Sequence, residues 1–321
     1  MNKIKSFVFD LDGIINHGEM IPHGLEIKGS VKSSFIDPCI LEKLALLSQE
    51  LNLFVNTARS EAYVQDFIQH FTKHKVRIDG WILEHGAVVL NKPEWTKIVL
   101  KDINLDQIHD RICKVATDKR LPIDLNCYHH DHRGFLLYAG KGKLLAGHFI
   151  SSVQGILKDK FRILVGKRKI AIIPRAADKY LAFFYNFGQD NEISFAAGDS
   201  VDDLTLLKHA HFPLTLSGAS DVVKDYVKTR GGYISPHTAH AGIKELICTV
   251  RERLINPNSE IAVPGPRLPV EKTDTFRPSR VSYLKRLFQN SMFAAKSFYR
   301  YSFLFKMASQ VSTGEAWHGK S

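Results

Sequence analysis

The chain has 321 residues, 44% hydrophobic and 24% charged, with a net charge of +11. That length asks for one large or two smaller folded units of ordinary globular character. Cys39, Cys113, Cys127 and Cys248 are scattered with no CxxC pair, which speaks against a disulfide framework or zinc cluster and for a reducing compartment. No apolar run reaches transmembrane length, and a first strand that begins near residue 4 leaves no room for a secretory signal, so a cytoplasmic protein is expected.

Residues 4–9 predict a short buried strand that ends in Asp10-Leu11-Asp12-Gly13. Residues 14–36 are rich in glycine and polar side chains and read as an irregular excursion or small flap. After Pro38, apolar residues recur at helical spacing through Leu47. Residues 51–55 predict a second strand, which runs into Asn56-Thr57-Ala58-Arg59-Ser60, with a helix over 61–73. Trp81-Ile82-Leu83 predicts a third strand, ending at Glu84-His85-Gly86-Ala87. This alternation argues for a parallel sheet.

The texture then changes. Helices are expected over 104–118 and 143–157, and strands over 134–139, 161–165 and 169–173. Together they make a small α+β insert bounded near residues 88 and 174. The sheet pattern resumes with a helix over 178–187, a buried strand over 193–197 and Gly198-Asp199-Ser200-Val201-Asp202-Asp203. A strand over 212–216 and a helix over 241–254 follow.

Asp10, Asp12, Thr57, Asp199, Asp202 and Asp203 share one property: each follows the carboxyl end of an expected parallel strand, the edge where open α/β sheets bind ligands. Each stretch alone is open to a plainer reading. Asp12-Gly13 fits a solvated turn, Thr57 a helix start, and Lys179 an exposed helix residue. Taken together they would bring several carboxylates, a hydroxyl and a cation into one cleft. Clustered carboxylates repel unless neutralised, and an all-oxygen set suits Mg2+. One carboxylate can act as a nucleophile toward phosphorus, and a second can move the proton.

In this order the stretches resemble the four motifs of the haloacid dehalogenase (HAD) superfamily of phosphotransferases, over about residues 4–250. Motif one is similar to Asp10-Leu11-Asp12-Gly13, motif two to Asn56-Thr57-Ala58-Arg59, motif three to Lys179, and motif four to Gly198 through Asp203. The resemblance implies Asp10 as the nucleophile and Asp12 as the general acid/base. It implies Thr57 as a hydrogen-bond donor to the phosphate, with Ala58 and Arg59 beside it at the substrate, and Lys179 as the balancing cation. Mg2+ would be held by Asp10, the backbone carbonyl of Asp12 and Asp199, with Asp203 in or next to its shell.

The insert's place between motifs two and three resembles the C2-capped subclass, which includes the Cof-type and sucrose-phosphatase-like hydrolases. Glu84-His85-Gly86-Ala87 is similar to that group's Glu-Asn-Gly-Ala turn. The sequence departs from the pattern at Ile14, where Thr is usual, at Tyr180, where Gly is usual, and at Asp202, where Asn is usual. The insert is also short for the subclass.

The expected fold is therefore α/β, a Rossmann-like parallel sheet core with an inserted small α+β cap of the C2 type and a helical C-terminal tail. The core would occupy 1–87 and 175–255, the cap 88–174, a Pro-rich linker 256–280 and a basic amphipathic tail 281–321. The expected activity is Mg2+-dependent hydrolysis of a small phosphorylated metabolite, best a sugar phosphate, through an aspartyl-phosphate. A phospholipid, phosphoprotein or nucleotide substrate, and a non-catalytic binding protein on the same scaffold, stay open.

Two further stretches stand out. His129-His130-Asp131-His132 invites a metal reading, but neighbours in sequence do not converge on one ion and the spacing matches no zinc site, so an exposed loop is expected. Residues 256–321 hold ten Lys/Arg against four Asp/Glu, +6 of the net charge. Within them, 281–308 interleave aromatic and aliphatic residues with basic ones. That pattern suits a membrane surface or a protein groove; a helix packed on the protein's own body is the plainer alternative. Nucleic acid is disfavoured, because the body of the chain lacks a matching basic run.

Overall fold

The structure is a computed structural model; it describes residues 3–28, 33–91, 94–97, 103–121, 123–124, 134–140, 143–165 and 169–256. The histidine run 129–132 and the linker and tail from residue 257 onward lie outside the described residues.

The first element, β1 (Ile4–Phe9), is the central strand. A hairpin of β2 (Leu25–Ile27) and β3 (Ser34–Ile36) follows, then α1 (Pro38–Glu50), β4 (Asn52–Asn56), a 3-10 turn (Glu61–Tyr63), α2 (Gln65–Lys73) and β5 (Gly80–Leu83). Next come β6 (Val88–Asn91), β7 (Glu94–Lys97), α3 (Leu105–Asp118), β8 (Ile123–Asp124), β9 (Leu136–Gly140), α4 (Lys143–Leu157), β10 (Phe161–Val165) and β11 (Lys169–Pro174). The chain closes with α5 (Lys179–Asn186), β12 (Asn191–Ala197), a 3-10 turn (Val201–Asp203), α6 (Leu204–Leu207), β13 (Phe212–Leu216), α7 (Asp221–Thr229), β14 (Tyr233–Ser235) and α8 (Ala239–Ile255).

The main sheet has eight strands in the order β14-β13-β12-β1-β4-β5-β6-β7. The first six are parallel; β6 and β7 turn back antiparallel at one edge. Alternation of side chains explains why the apolar end of β1, Phe7–Phe9, is buried on both faces. Phe7 and Phe9 face one layer with Leu41, Leu44, Leu47, Phe67, Phe71 and Ile243. Val8 faces the other with Phe54, Phe183, Leu206, Val223 and Val227. Helices therefore cover both faces, as a parallel sheet demands. Local chemistry sets their ends. Asp37 caps α1 by accepting from Cys39 N at 2.9 Å, with Pro38 at the first turn. Asp178 caps α5 by accepting from Tyr180 N and Leu181 N at 2.8 and 2.9 Å.

The insert is a four-stranded antiparallel sheet, order β10-β11-β9-β8. Ile112 and Ala116 of α3 and Phe149 and Val153 of α4 pack on Leu136, Tyr138, Ile170 and Ile172. A smaller cluster of Ala87, Phe135, Ala171, Ile173 and Ala177 joins it to the main sheet.

Two expectations are corrected and one is narrowed. The insert does not begin at residue 88: Val88–Asn91 and Glu94–Lys97 extend the main sheet. The excursion over 14–36 takes the small-flap form rather than the irregular one, since it contains the β2–β3 hairpin. Residues 217–240, for which the sequence suggests no element, hold α7 and β14.

Candidate active site

Parallel pairing brings the ends of β1, β4 and β12 to one edge. Phe9 pairs with Val55 on one side and Ala197 on the other. The ladder runs one bond further, with Asp10 N donating to Ala197 O at 3.0 Å. Asp10, Thr57 and Asp199 therefore lie just beyond neighbouring strand ends.

Asp10 is buried, and its Oδ1 accepts from Leu11 N at 2.9 Å. Oxygens of Asp10, Asp199 and Asp203 lie within 4.8 Å of one another. Lys179 answers this negative charge. It is 1% exposed, and its Nζ sits 2.5 Å from Asp203 Oδ1, 3.6 Å from Asp10 Oδ1 and 3.8 Å from Asp202 Oδ2. It also donates to Asn56 O at 3.3 Å, and Asn56 Nδ2 donates back to Lys179 O at 3.1 Å. A buried ammonium is costly alone, but burial is outweighed here by Asp10, Asp203 and Asp202, which hold the Lys179 pKa above its ordinary value.

The carboxylates divide by environment. Burial, reinforced by Asp203, Asp12 and Asp199, pushes Asp10 well above the usual range despite Lys179. Burial and Asp203 push Asp199 up to about 7. That is the signature of more negative charge than one lysine balances, and it is the environment a divalent cation relieves. Asp12 behaves oppositely. Partial desolvation of this half-exposed carboxyl works against its ionisation, but Arg59 overcomes it, donating from Nε and Nη2 at 2.8 and 2.6 Å, and Asn16 adds a bond at 3.0 Å. Its pKa lies below the ordinary value.

Both oxygens of Asp203 are already engaged. Oδ1 faces Lys179, and Oδ2 accepts from Asp199 N, Ser200 N and Ser200 Oγ at 3.1, 2.9 and 2.9 Å. Asp203 thus braces the loop that carries Asp199. Gly13 has φ +81°, and a Cβ there would collide with the Asp199 carboxylate. Glycine is required by both the backbone and the close approach. Thr57 is fully buried; its Oγ accepts from Arg59 N at 3.2 Å and its amide donates to Ile82 O at 2.8 Å. Ala58, between Thr57 and Arg59, is half-buried in the same loop.

Two of the three departures acquire a structural reason. Ile14 is 1% exposed in the core layer with Leu11 and Ile15, so it serves packing. Tyr180 points away from the site and stacks on His209 at 3.4 Å between ring centres. Asp202 has a more specific environment. Its Oδ2 lies 2.6 Å from His85 Nδ1 and its Oδ1 2.7 Å from Arg162 Nη1. Burial would raise its pKa, but His85 and Lys179 hold it well below the ordinary range. Sequence reasoning singled out neither His85 nor Arg162 as part of the site.

His85 belongs to an unusual turn. Glu84, His85 and Gly86 have φ of +51°, +60° and +97° in succession. A non-glycine residue there costs on the order of 1 kcal/mol. The turn is held by Glu84 N and His85 N, which donate to Arg59 O and Thr57 O at 3.1 and 3.3 Å. Gly86 lies so near the Asp178 backbone that a Cβ would clash with its carbonyl.

No protein-family model matches the sequence, and no curated protein matches it. Solved structures do. A haloacid dehalogenase-like hydrolase from Bacteroides thetaiotaomicron aligns with TM-score 0.56 at 16% identity, over 77% of this chain and 100% of that one. A HAD/COF-like hydrolase from Plasmodium vivax aligns with TM-score 0.57 at 14% identity, over 78% and 96%. A sugar phosphatase of HAD subclass IIB aligns with TM-score 0.53 at 15% identity, over 77% and 98%. The chain shares the fold of these HAD-like hydrolases, and its four-stranded insert lies in the chain between Thr57 and Lys179.

Proposed function

We propose that the chain is a Mg2+-dependent phosphoric monoester hydrolase acting on a small phosphorylated metabolite, a sugar phosphate being the preferred class. The observation that carries this reading is the buried Asp10 carboxylate, 3.6 Å from Lys179 and clustered with Asp199 and Asp203. Fold likeness to the subclass IIB sugar phosphatase supports the substrate class.

Asp10, Asp199 and the Asp12 carbonyl would hold the cation, with Asp203 bracing the loop and Lys179. The donor set fits: it is all oxygen, hard and in excess of positive charge. When bound, the cation would offset charge on the transferring group and hold it against Asp10. An Asp10 oxygen attacks phosphorus as the ester P–O bond breaks, and the leaving oxygen takes a proton from Asp12. Asp12 then accepts a proton from water, which attacks the aspartyl-phosphate and releases inorganic phosphate, restoring Asp10. Thr57, Ala58 and Lys179 line the phosphate's position. In the resting site Arg59 keeps Asp12 ionised. Protonated Asp12 requires Arg59 to turn toward the incoming anion, which gives Arg59 its place in substrate binding.

Asp10→Asn removes the nucleophile with little change of shape. Its expected effect is loss of Mg2+-dependent p-nitrophenyl phosphate hydrolysis by at least about three orders of magnitude, with the unfolding transition preserved. Full activity in this variant would refute the assignment. The basic, aromatic stretch 281–308 supports a second element of the reading, recruitment of the enzyme to an anionic membrane surface.

A further inference from the structure

Resting on the phosphatase reading, the geometry points to Asp202 as a positioning residue that fastens the cap to the catalytic edge: it takes the cap's Arg162 on one oxygen and the core's His85 on the other, beside Lys179.

Asp202 is 6% exposed and lies in the loop between Asp199 and Asp203. Arg162 stands on β10, the edge strand of the cap sheet. Its Nη1 meets Asp202 Oδ1 at 2.7 Å, and its Nη2 donates to Ala177 O at 2.9 Å. One guanidinium thus joins a cap strand, the chain returning to α5 and the 198–203 loop. His85 Nδ1 lies 2.6 Å from the other oxygen, which accepts, so Nδ1 carries the hydrogen. The His85 ring stands edge-on to Phe135 of the cap, at 4.7 Å and 89°. Its neighbour Glu84 accepts from Gly134 N at 2.6 Å.

An asparagine at position 202 would balance neither Arg162 nor Lys179. The cap's half-buried cation and the core's buried extra carboxylate are intelligible as a pair, since Asp202 alone would be a desolvated charge. Lys179 couples this pair to the chemistry, because it faces Asp202, Asp203 and Asp10 at once. Drawing Arg162 away would leave Asp202 to compete harder for Lys179 and pull the ammonium from Asp10. Cap position and nucleophile environment are therefore linked through one carboxylate.

The test compares full-length wild type with Arg162→Met, Arg162→Lys, Asp202→Asn and Arg162→Met/Asp202→Asn. Amide hydrogen exchange over residues 134–140 and 161–165 reads cap attachment. Steady-state hydrolysis of p-nitrophenyl phosphate with Mg2+ reads the site. Arg162→Met is expected to raise exchange in both segments about tenfold or more, and to lower kcat about tenfold with less than a twofold change in KM. Arg162→Lys should recover part of both. Adding Arg162→Met to Asp202→Asn should add less than twofold, because both remove the same ion pair. Additive effects, or cap exchange unchanged in Arg162→Met and Asp202→Asn, would overturn the proposal. So would a kcat loss in Arg162→Met that Arg162→Lys does not relieve. If Asp202→Asn fails to fold, the two Arg162 variants decide the matter. If wild type hydrolyses no ester, the phosphatase reading fails while the exchange measurements still test the attachment.

Discussion

Asp199 carries a prediction with a definite sign. Its folded pKa, pushed to about 7 chiefly by burial, lies above the ordinary value of about 3.9. The folded state thus holds this proton more tightly than the unfolded chain. The stability it contributes is full below about pH 4 and is lost as pH rises through about 7. A divalent cation should offset that loss. Metal-free protein is expected to lose thermal stability between pH 5 and 8, and added Mg2+ should raise Tm much more at pH 8 than at pH 5. Equal Mg2+ shifts at both values would contradict a cation bound through Asp199. Gly13 carries another. Gly13→Ala must place a methyl against Asp199 at φ +81°. Destabilisation of about 1–3 kcal/mol is expected, with weaker Mg2+ dependence, read by denaturant melts and metal titration. At this scale the sequence placed Asp10, Thr57 and Asp199 just beyond apolar strands, whereas Lys179, next to the α5 cap Asp178, was marked only by the resemblance. It marked His85 only as part of the Glu84–Ala87 turn and was silent about Arg162; the meaning of both lies in contacts with Asp202, and the His85 contact spans 117 residues.

Among elements, β1, β4 and β12 were legible because continuous apolar runs followed by polar turns have few other readings. The β6–β7 hairpin was not. Val88, Val89 and Leu90 follow directly on a turn that closes β5, and nothing in their composition says which sheet they join. Helix α7 was missed for a different reason. It buries only Val223 and Val227, one turn apart, among polar residues, too sparse a stripe to stand out. The turn at Glu84–Gly86 was marked by the resemblance, but its left-handed backbone was not legible, since its first two residues are not ones that favour it. Its bonds to Thr57 and Arg59 give it a checkable role. His85→Asn suits the left-handed region better but shortens the reach to Asp202. Higher kcat sensitivity than Tm sensitivity is expected, compared by paired kinetic and melting measurements.

For the whole molecule, the fold was largely readable because alternating strand and helix patterns admit few topologies. Among the described residues no helix is long and apolar enough to cross a membrane; the membrane attachment proposed above is assigned to 281–308. Full-length protein is expected to co-sediment with anionic vesicles and a chain ending at residue 255 to stay in solution; equal binding by both would remove the tail from that role. The central place of β1 has a consequence for synthesis. Its partners are β4, made soon after, and β12, made near the end of the folded body. Residues 10 and 203 emerge from the ribosome roughly 10–40 s apart at ordinary elongation rates. Throughout that interval the nascent chain exposes one unpaired edge of its central strand. The cluster of Asp10, Asp199 and Asp203 can assemble only once residue 203 is out, so a chain that ends before it lacks the candidate site altogether rather than in part.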